Sequence, residues 1–381
     1  MKQQIMDHNK TLFDKARALG LPAGEYVIVG SGPLGVRGLR AMSDVDIMVS
    51  DRLWQDFAKD HAVIASDVPK ILLAEDVECF SSLSFPAQPG WPTAEEQLAQ
   101  AEKIDGLYFQ SIDHSLFFKS HSDRAKDIND VALLKDFLFE RKAVRVSSGG
   151  VELPASLVLP NGAVRSAVLF LPGGGNTQLE QGPLLAGRKA WQERIAVWGV
   201  ASLAFDYRGI EGTGIELGAT SLTTRTEDAV AAYDVLQNAV KTKNLFAIGV
   251  SMGAVAATYL TQERDLTGIC LVCPAAYSPA AHAIPFGPDF TAEIRKDDDC
   301  SHYSEYSVLS RYDGRLLLAY GGKDVIIPTD IIDAYKKIVS VKNGVIQLHP
   351  EAAHFMNKED APSLEAHRAL AIELKKFLTS S

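Results

Sequence analysis

The sequence predicts an α/β protein in which most of the chain forms a largely parallel sheet with helices on both faces. Residues 142–381 alternate short apolar runs with longer segments of helical pattern, which is typical of such a sheet. The chain has 381 residues, which is long for one compact core. We therefore expect two domains, an α+β domain at 1–141 and the sheet domain at 142–381.

The composition indicates an ordinary soluble globular protein, with 46% hydrophobic and 23% charged residues. A net charge of −10 argues against binding to nucleic acid or to an anionic membrane. Residues 1–20 lack the apolar core of a signal peptide, and no apolar run approaches the roughly 18 residues of a spanning helix. We expect a cytoplasmic protein with neither nucleic acid nor membrane as its partner.

Residues 25–31, EYVIVGS, predict a strand that ends in Gly-Ser, and residues 43–49, SDVDIMV, predict a second strand. Side chains alternate along a strand, so Asp44 and Asp46 point to the same face. Two neighbouring carboxylates repel each other unless a cation lies between them. The pair is therefore a candidate Mg²⁺ site with hard oxygen ligands.

This order of motifs, over residues 1 to about 140, resembles the DNA polymerase beta-like nucleotidyltransferase superfamily. The resemblance implies that Gly30 and Ser31 contact a nucleoside triphosphate and that Asp44 and Asp46 hold metal ions. It also implies a third carboxylate from a later strand, for which Glu78 is the best match. A domain that keeps the fold without the activity, serving in regulation or assembly, is the alternative.

The sheet domain begins with a hairpin and then follows a regular order. The elements predicted after the hairpin at 143–159 are strands at 167–171, 201–205, 245–248, 268–272, 315–320 and 344–348, with helices at about 183–198, 224–238 and 364–378. Ligands bind at the carboxyl ends of such strands.

Residues 249–253, GVSMG, stand between the strand at 245–248 and an alanine-rich helical segment. Strand, sharp turn and helix with serine at the apex fit the Gly-x-Ser-x-Gly nucleophile elbow. Small residues on both sides of Ser251 let the turn close, and the first helix amides point at the reaction site. A buried Gly-Ser turn without chemistry is the alternative.

A serine nucleophile needs a base, and the base needs an orienting acid. Asp324 follows the strand at 315–320, and His354 lies in the loop after the strand at 344–348. His349, at the end of that strand, is the rival base and is expected to pack locally. Asp206, in the sequence FDYRG, is the rival acid and is expected to brace loops.

The order Ser251, Asp324, His354 is that of the alpha/beta-hydrolases, and residues from about 143 to 381 resemble that fold. The resemblance implies an oxyanion hole made by the amide of Met252 and one amide of the loop 172–175, for which Gly174 is the best match. It implies a serine hydrolase that cleaves a carboxylic ester, thioester or related acyl bond through an acyl-enzyme, without a cofactor. An acyltransferase, a hydrolase domain accessory to nucleotidyl transfer and a non-enzymatic binding module are the alternatives.

Residues 274–314 occupy the usual place of a lid. This segment is short and polar, with a few aromatic residues. We expect a small or moderately polar acyl substrate. Cys270 and Cys273 form a C-x-x-C inside an apolar run, which predicts buried thiols rather than a redox or metal pair.

Overall fold

The computed structural model describes residues 2–85, 88–174, 188–296, 299–355 and 360–380. The chain divides into two compact units, Met1–Phe137 and Leu138–Ser381, called here the N-terminal and C-terminal units. The division lies four residues before the one predicted from the sequence. The reason is that the first strand of the C-terminal unit begins at Phe139 and pairs along its length with Val151–Pro160.

The N-terminal unit is built on one mixed sheet with helices packed against it. Its strands lie in the order β3-β4-β5-β2-β1-β7-β6. They are β1 Tyr26–Ile28, β2 Val45–Val49, β3 Val63–Ile64, β4 Lys70–Ala74, β5 Val77–Ser81, β6 Glu102–Ile104 and β7 Leu107–Phe109. The helices are α1 Lys2–Ala18, α2 Gly32–Gly35, α3 Asp51–Asp60, α4 Ala94–Ala99, α5 Ile112–Ser120 and α6 Ala125–Leu138.

Strand β2 is central to this sheet and brings its polar residues next to those of β5. It pairs antiparallel with β1 and parallel with β5, in a register that sets Asp46 beside Glu78. Val45, Ile47 and Val49 are fully buried in the core of the unit. Because side chains alternate, the even-numbered position of Asp46 falls on the opposite face from these three.

The C-terminal unit has an eight-stranded sheet in the order β15-β14-β13-β12-β10-β11-β9-β8. Its strands are β8 Phe139–Ser148, β9 Val151–Pro160, β10 Ser166–Leu171, β11 Val200–Phe205, β12 Leu245–Val250, β13 Gly268–Val272, β14 Arg315–Gly321 and β15 Val345–His349. Strands β10 to β15 pair in parallel, and β8 and β9 are antiparallel. The helices are α7 Arg188–Val197, α8 Leu222–Ala239, α9 Gly253–Glu263, α10 Pro288–Ile294, α11 Ser304–Arg311, α12 Thr329–Val341 and α13 Ala361–Thr379.

Helices cover both faces of this sheet, which confirms the predicted α/β class. One core cluster contains residues of α8, α9 and α12, such as Leu236, Leu260 and Tyr335. A second cluster contains residues of α7 and α13, such as Ile195 and Leu374. Strands β10, β11 and β13 are buried along their whole length, as central parallel strands are when both faces are covered.

Two predicted segments of this unit extend beyond the described ranges. Only the part of the predicted helix 183–198 from Arg188 onward lies within the described residues. The predicted lid at 274–314 contains α10 and α11 with short 3-10 turns, and residues 297–298 lie outside the described ranges. In the parts of the chain described, no helix has the length and apolar content needed to span a bilayer.

Candidate active site

Ser251 lies at the apex of a tight turn between β12 and α9. Its φ is +52°, in the left-handed region, where a residue with a side chain carries strain of about 1–3 kcal/mol. Backbone hydrogen bonds hold this conformation. The Ser251 amide donates to the Val272 carbonyl at 2.9 Å, and its own carbonyl accepts from the amides of Ala254 and Ala275 at 3.0 and 3.1 Å.

The glycines on either side of Ser251 are required by close packing. A Cβ at Gly253 would overlap the carbonyl oxygens of Leu171 and Pro172. A Cβ at Gly249 would lie 2.8 Å from Cα of Ala254, which is too close for a real contact. Helix α9 can therefore begin against the end of β10 only if residue 253 lacks a side chain, and it can pack on β12 this closely only if residue 249 does.

Asp324 and His354 form a hydrogen-bonded pair at the same edge of the sheet. His354 Nδ1 lies 2.8 Å from Asp324 Oδ2, and the amides of Ile326 and Ile327 donate to Oδ1 at 2.8 and 3.2 Å. Burial acts to raise the pKa of Asp324, but the hydrogen bonds from His354 and these amides outweigh it and hold the pKa below its usual value. An ionised Asp324 favours the tautomer with the proton on Nδ1, which leaves Nε2 of His354 free to act as a base.

The loop of Asp324 and the loop of His354 are joined by their backbones. A Cβ at Gly321 would overlap the carbonyl oxygens of Ala352 and Ala353. The Lys323 amide donates to the Ala352 carbonyl at 2.9 Å. The glycine at the end of β14 thus allows the histidine loop to approach the acid.

His349 and Asp206, the rival base and the rival acid, are engaged in other contacts. His349 ends β15, its ring packs edge-on against Phe355 with centroids 4.9 Å apart, and burial lowers its pKa to about 4. Asp206 accepts a hydrogen bond from Nη2 of Arg188 at 2.8 Å.

Gly173 and Gly174 follow β10 and lie directly beside the serine turn. An ideal Cβ at Gly173 would be 3.7 Å from Ser251 Oγ, and one at Gly174 would be 3.4 Å from Cε of Met252. Within the described ranges, the amides of Gly174 and Met252 have no hydrogen-bond acceptor. Two such amides next to a serine hydroxyl are suited to stabilise an oxyanion.

Cys273 lies behind the acid–base pair, a position that the C-x-x-C pattern did not indicate. Its Sγ, a carboxylate oxygen of Asp324 and a ring nitrogen of His354 all lie within 4.8 Å of one another. Burial raises the pKa of the Cys273 thiol to about 12. A metal would need the thiolate, so this environment disfavours metal binding. Cys270, in β13, is buried as well.

The lid segment places aromatic residues inward, next to the serine turn. Phe286 and Phe290 are buried in a cluster with Leu222 and Val255, and Met252 packs against this cluster. The segment contributes an apolar wall that its polar composition does not suggest.

The candidate metal residues of the N-terminal unit interact electrostatically, but among the described residues the three carboxylates do not converge within 4.8 Å of one another. Gly30 has a φ of +62°, and the Asp46 carboxylate lies against it. Burial, followed by the charges of Asp44 and Glu78, raises the pKa of Asp46 to about 6. Mutual repulsion of this kind is relieved by a cation, so Asp44 and Asp46 fit a divalent metal.

Glu78 fits that role less well. The Lys70 ammonium donates to both of its carboxylate oxygens, at 2.6 and 2.8 Å. Lys70 therefore already neutralises the residue that the resemblance offers as the third ligand. Ser31 is the residue before α2 and is partly exposed.

A cavity of about 730 Å³ in the same unit begins at Gly30. Phe85, Trp91 and Phe118 form its aromatic side, and Lys119 lines it as part of an ion pair with Asp127. Its volume falls within the usual range for small-molecule sites, about 300–1,000 Å³.

Comparison with known proteins shows what the C-terminal unit is similar to. A family model described as serine aminopeptidase, S33, matches residues 188–296. The acylaminoacyl peptidase of Pyrococcus horikoshii superposes with a TM-score of 0.51 at 15% identity, over 64% of this chain and 42% of that chain. This chain thus spans less than half the length of that protein. The C-terminal unit has the fold of the alpha/beta-hydrolases, as expected from the sequence.

Two further solved structures resemble the chain at lower TM-scores. They are a Mycobacterium tuberculosis puromycin-hydrolyzing peptidase (14% identity, TM-score 0.49, 64% of this chain and 40% of that one) and a Pyrococcus furiosus esterase (18%, 0.46, 64% and 92%). A search of curated proteins by sequence finds no match. The nucleotidyltransferase resemblance of the N-terminal unit stays a prediction.

Proposed function

We propose that the C-terminal unit is a serine hydrolase that cleaves a carboxylic ester, thioester or related acyl bond. The observation that carries this proposal is the Asp324–His354 hydrogen bond of 2.8 Å at the sheet edge that also presents Ser251 on a left-handed turn. A nucleophile, a base and an orienting acid are the minimum set for acyl transfer by serine.

In the proposed reaction, His354 Nε2 accepts the proton of the Ser251 hydroxyl as Oγ attacks the substrate carbonyl. The Met252 and Gly174 amides stabilise the oxyanion, and losing one such donor typically costs about 2.7–4 kcal/mol. The tetrahedral intermediate collapses as His354 returns the proton to the leaving group, which gives an acyl-enzyme. Water, deprotonated by His354, then releases the acid.

A fluorophosphonate probe tests the nucleophile directly. We expect wild-type protein and the exposed-serine control Ser307→Ala to be labelled, and Ser251→Ala to be unlabelled. Ester turnover should fall by about 10⁵-fold or more in Ser251→Ala. Equal labelling of Ser251→Ala and wild type would refute the proposal.

A panel of substrates then distinguishes which type of acyl bond is cleaved. The apolar wall of Phe286 and Phe290 beside Met252 supports a substrate whose acyl group is apolar. Acyl esters and thioesters of increasing chain length should be compared with peptide anilides, since the family match is to a serine aminopeptidase. An added alcohol acceptor that diverts product from acid to ester would favour an acyltransferase.

We propose, second, that the N-terminal unit binds a nucleoside triphosphate with Mg²⁺. The observation in its favour is the cavity at Gly30 next to the Asp46 carboxylate. Asp44 and Asp46 would hold the ion, which when bound would neutralise phosphate charge. The aromatic side of the cavity suits a nucleobase, whereas the Lys119 ammonium that also lines the cavity is already paired with Asp127 and Asp130.

ATP labelled at the α-phosphate tests this second proposal. We expect Mg²⁺-dependent transfer of label to an acceptor that is lost in Asp44→Asn and Asp46→Asn and kept in the exposed control Asp60→Asn. No transfer, together with no shift of melting temperature by ATP and Mg²⁺, would leave the N-terminal unit as a regulatory or assembly domain.

A further inference from the structure

Arg225 is a buried cation in an unfavourable place. It lies in the first turn of α8 and is 3% exposed. The amino-terminal end of a helix carries partial positive charge, so a cation there is disfavoured. Removing a guanidinium from water is costly unless it is paired. Arg225 therefore needs compensating contacts.

Those contacts lead to the oxyanion loop. Nη1 of Arg225 donates to the Gly173 carbonyl at 3.0 Å and lies 3.3 Å from Sδ of Met252. The guanidinium packs on the rings of Tyr207 and Phe286, with centroid distances of 5.0 and 4.7 Å.

The surrounding acids do not compete for this guanidinium. In the part of the chain that the structure describes, no carboxylate lies within 4.0 Å of Arg225. Asp228, whose charge reaches Arg225, accepts from Arg208 Nε at 2.7 Å and from Ser148 at 2.6 Å. The Gly173 carbonyl is therefore the oxygen to which the Arg225 side chain is directed.

The Gly173 carbonyl belongs to the same peptide unit as the Gly174 amide. That unit is planar and trans, so its C=O and N–H point in opposite directions. A hydrogen bond that fixes the carbonyl oxygen also fixes where the N–H points. Two glycines in sequence would otherwise let this peptide rotate easily.

The bond is also charge-assisted, which makes it stronger than a neutral one and polarises the peptide it engages. The same Nη1 touches the side chain of Met252, whose amide is the other proposed donor. One guanidinium nitrogen thus contacts both the Gly173–Gly174 peptide, through its carbonyl oxygen, and the side chain of Met252.

We propose that Arg225 is a positioning residue that orients the Gly174 amide, and secures Met252, for oxyanion stabilisation. This inference rests on the proposed serine hydrolase function. It concerns how the site is held, since Arg225 itself acts through the Gly173–Gly174 peptide.

The test compares Arg225→Met, which keeps the apolar packing, with Arg225→Lys, which keeps a charge and a donor. Arg264→Met is the matched control. Arg264 is the C-cap residue of α9, and its side chain is paired with Asp234. Each protein is measured for kcat and KM on a p-nitrophenyl ester and for inhibition by a trifluoromethyl ketone, whose adduct bears an oxyanion.

We expect Arg225→Met to lower kcat by about 100-fold, with KM changed less than about threefold. The affinity for the trifluoromethyl ketone should fall by about the same factor as kcat. The kcat and ketone affinity of Arg225→Lys should lie between those of Arg225→Met and wild type, and those of Arg264→Met should equal the wild-type values. A structural role alone would lower melting temperature without this split between kcat and KM.

The outcomes separate this inference from the function beneath it. If Ser251→Ala abolishes probe labelling but both Arg225 variants turn over ester and bind the ketone as wild type does, the inference is overturned and the hydrolase stands. If wild type is not labelled at all, both fail. If Arg225→Met does not fold, Arg225→Lys decides, and wild-type kcat and ketone affinity in that variant would refute the positioning role.

Discussion

His354 Nδ1 lies 2.8 Å from Oδ2 of Asp324, although the two residues are 30 positions apart in the chain. The second oxygen of Asp324 already accepts from the amides of Ile326 and Ile327. The carboxylate is therefore held in one orientation, and its remaining oxygen fixes the imidazole. The loop of Asp324 orients the ring before any substrate arrives.

Replacing Asp324 by Asn tests this orientation. The amides of Ile326 and Ile327 would keep the amide oxygen on their side, which turns the NH2 group toward Nδ1 of His354. An NH2 donor there selects the tautomer with the proton on Nε2, so kcat should fall by about 10⁴-fold. Steady-state ester hydrolysis measures this, with Asp330→Asn as an exposed carboxylate control. A loss of less than about tenfold in Asp324→Asn would mean that another acid orients His354.

The positions of Ser251, Asp324 and His354 could be anticipated because parallel strands end at one edge of a sheet. Each residue follows a short apolar run, so the order of elements alone places them on the same side. Helices on both faces follow from the same alternation. These features depend on local pattern and length, which a sequence displays.

Other parts of the site depend on packing between distant segments, which no local sequence pattern indicates. Arg225 meets Gly173 only because α8 lies across the loop after β10. From the sequence, Gly321 is an ordinary turn glycine. The structure shows that the loop of His354 packs directly against it. The hydrogen bond from Lys70 to Glu78 likewise arises from the β4–β5 register, which the sequence does not display.

Gly253→Ala should damage the fold rather than the chemistry alone. The added methyl group would overlap the carbonyls of Leu171 and Pro172, which cannot move without displacing β10. Overpacking of this kind typically costs about 1–3 kcal/mol. Urea unfolding measures it, with Gly162→Ala as the control because nothing lies within 4 Å of a Cβ there. Equal midpoints for the two variants would contradict the close packing described at the elbow.

His349 should make the protein less stable in acid without contributing to catalysis. Burial lowers its pKa from 6.5 to about 4. Above pH 6.5 neither folded nor unfolded chain protonates the ring, and between pH 6.5 and 4 only the unfolded chain does. Stability therefore falls as the pH drops through this window, by about 2 kcal/mol at pH 5.

The measurement is urea unfolding of wild type and His349→Gln at pH 8 and pH 5. The variant should lose about 2 kcal/mol less than wild type over this range, while keeping its ester turnover. His367, whose pKa burial also lowers to about 4, serves as a second case through His367→Gln. If His349→Gln abolished turnover and His354→Gln did not, the assignment of the base would be reversed.

Lys119 should be the most costly single cation to remove from the N-terminal unit. Its side chain is 9% exposed and donates to Asp127 at 3.0 Å and Asp130 at 2.8 Å, which are themselves 0% and 2% exposed. Burial acts to raise the pKa of Asp127, but hydrogen bonds from Ser122, Lys119 and Arg124 bring it down to about 2. Lys119→Met would leave buried carboxylate charge short of a partner, at a cost of about 3 kcal/mol.

The expected loss is fully present above the usual aspartate pKa, near 3.8, and diminishes as the pH falls toward 2, where Asp127 protonates. Urea unfolding at pH 7 measures the loss and unfolding at about pH 2.5 measures how far it diminishes, with hydrogen exchange of α5 and α6 assigning the transition to the N-terminal unit. Lys59→Met is the matched control, because its partner Asp56 lies on the surface and the pair is exposed. Removing such a surface pair should change stability by less than about 1 kcal/mol. A Lys119→Met protein as stable as Lys59→Met would show that Arg40 and Arg124 suffice to hold the two aspartates.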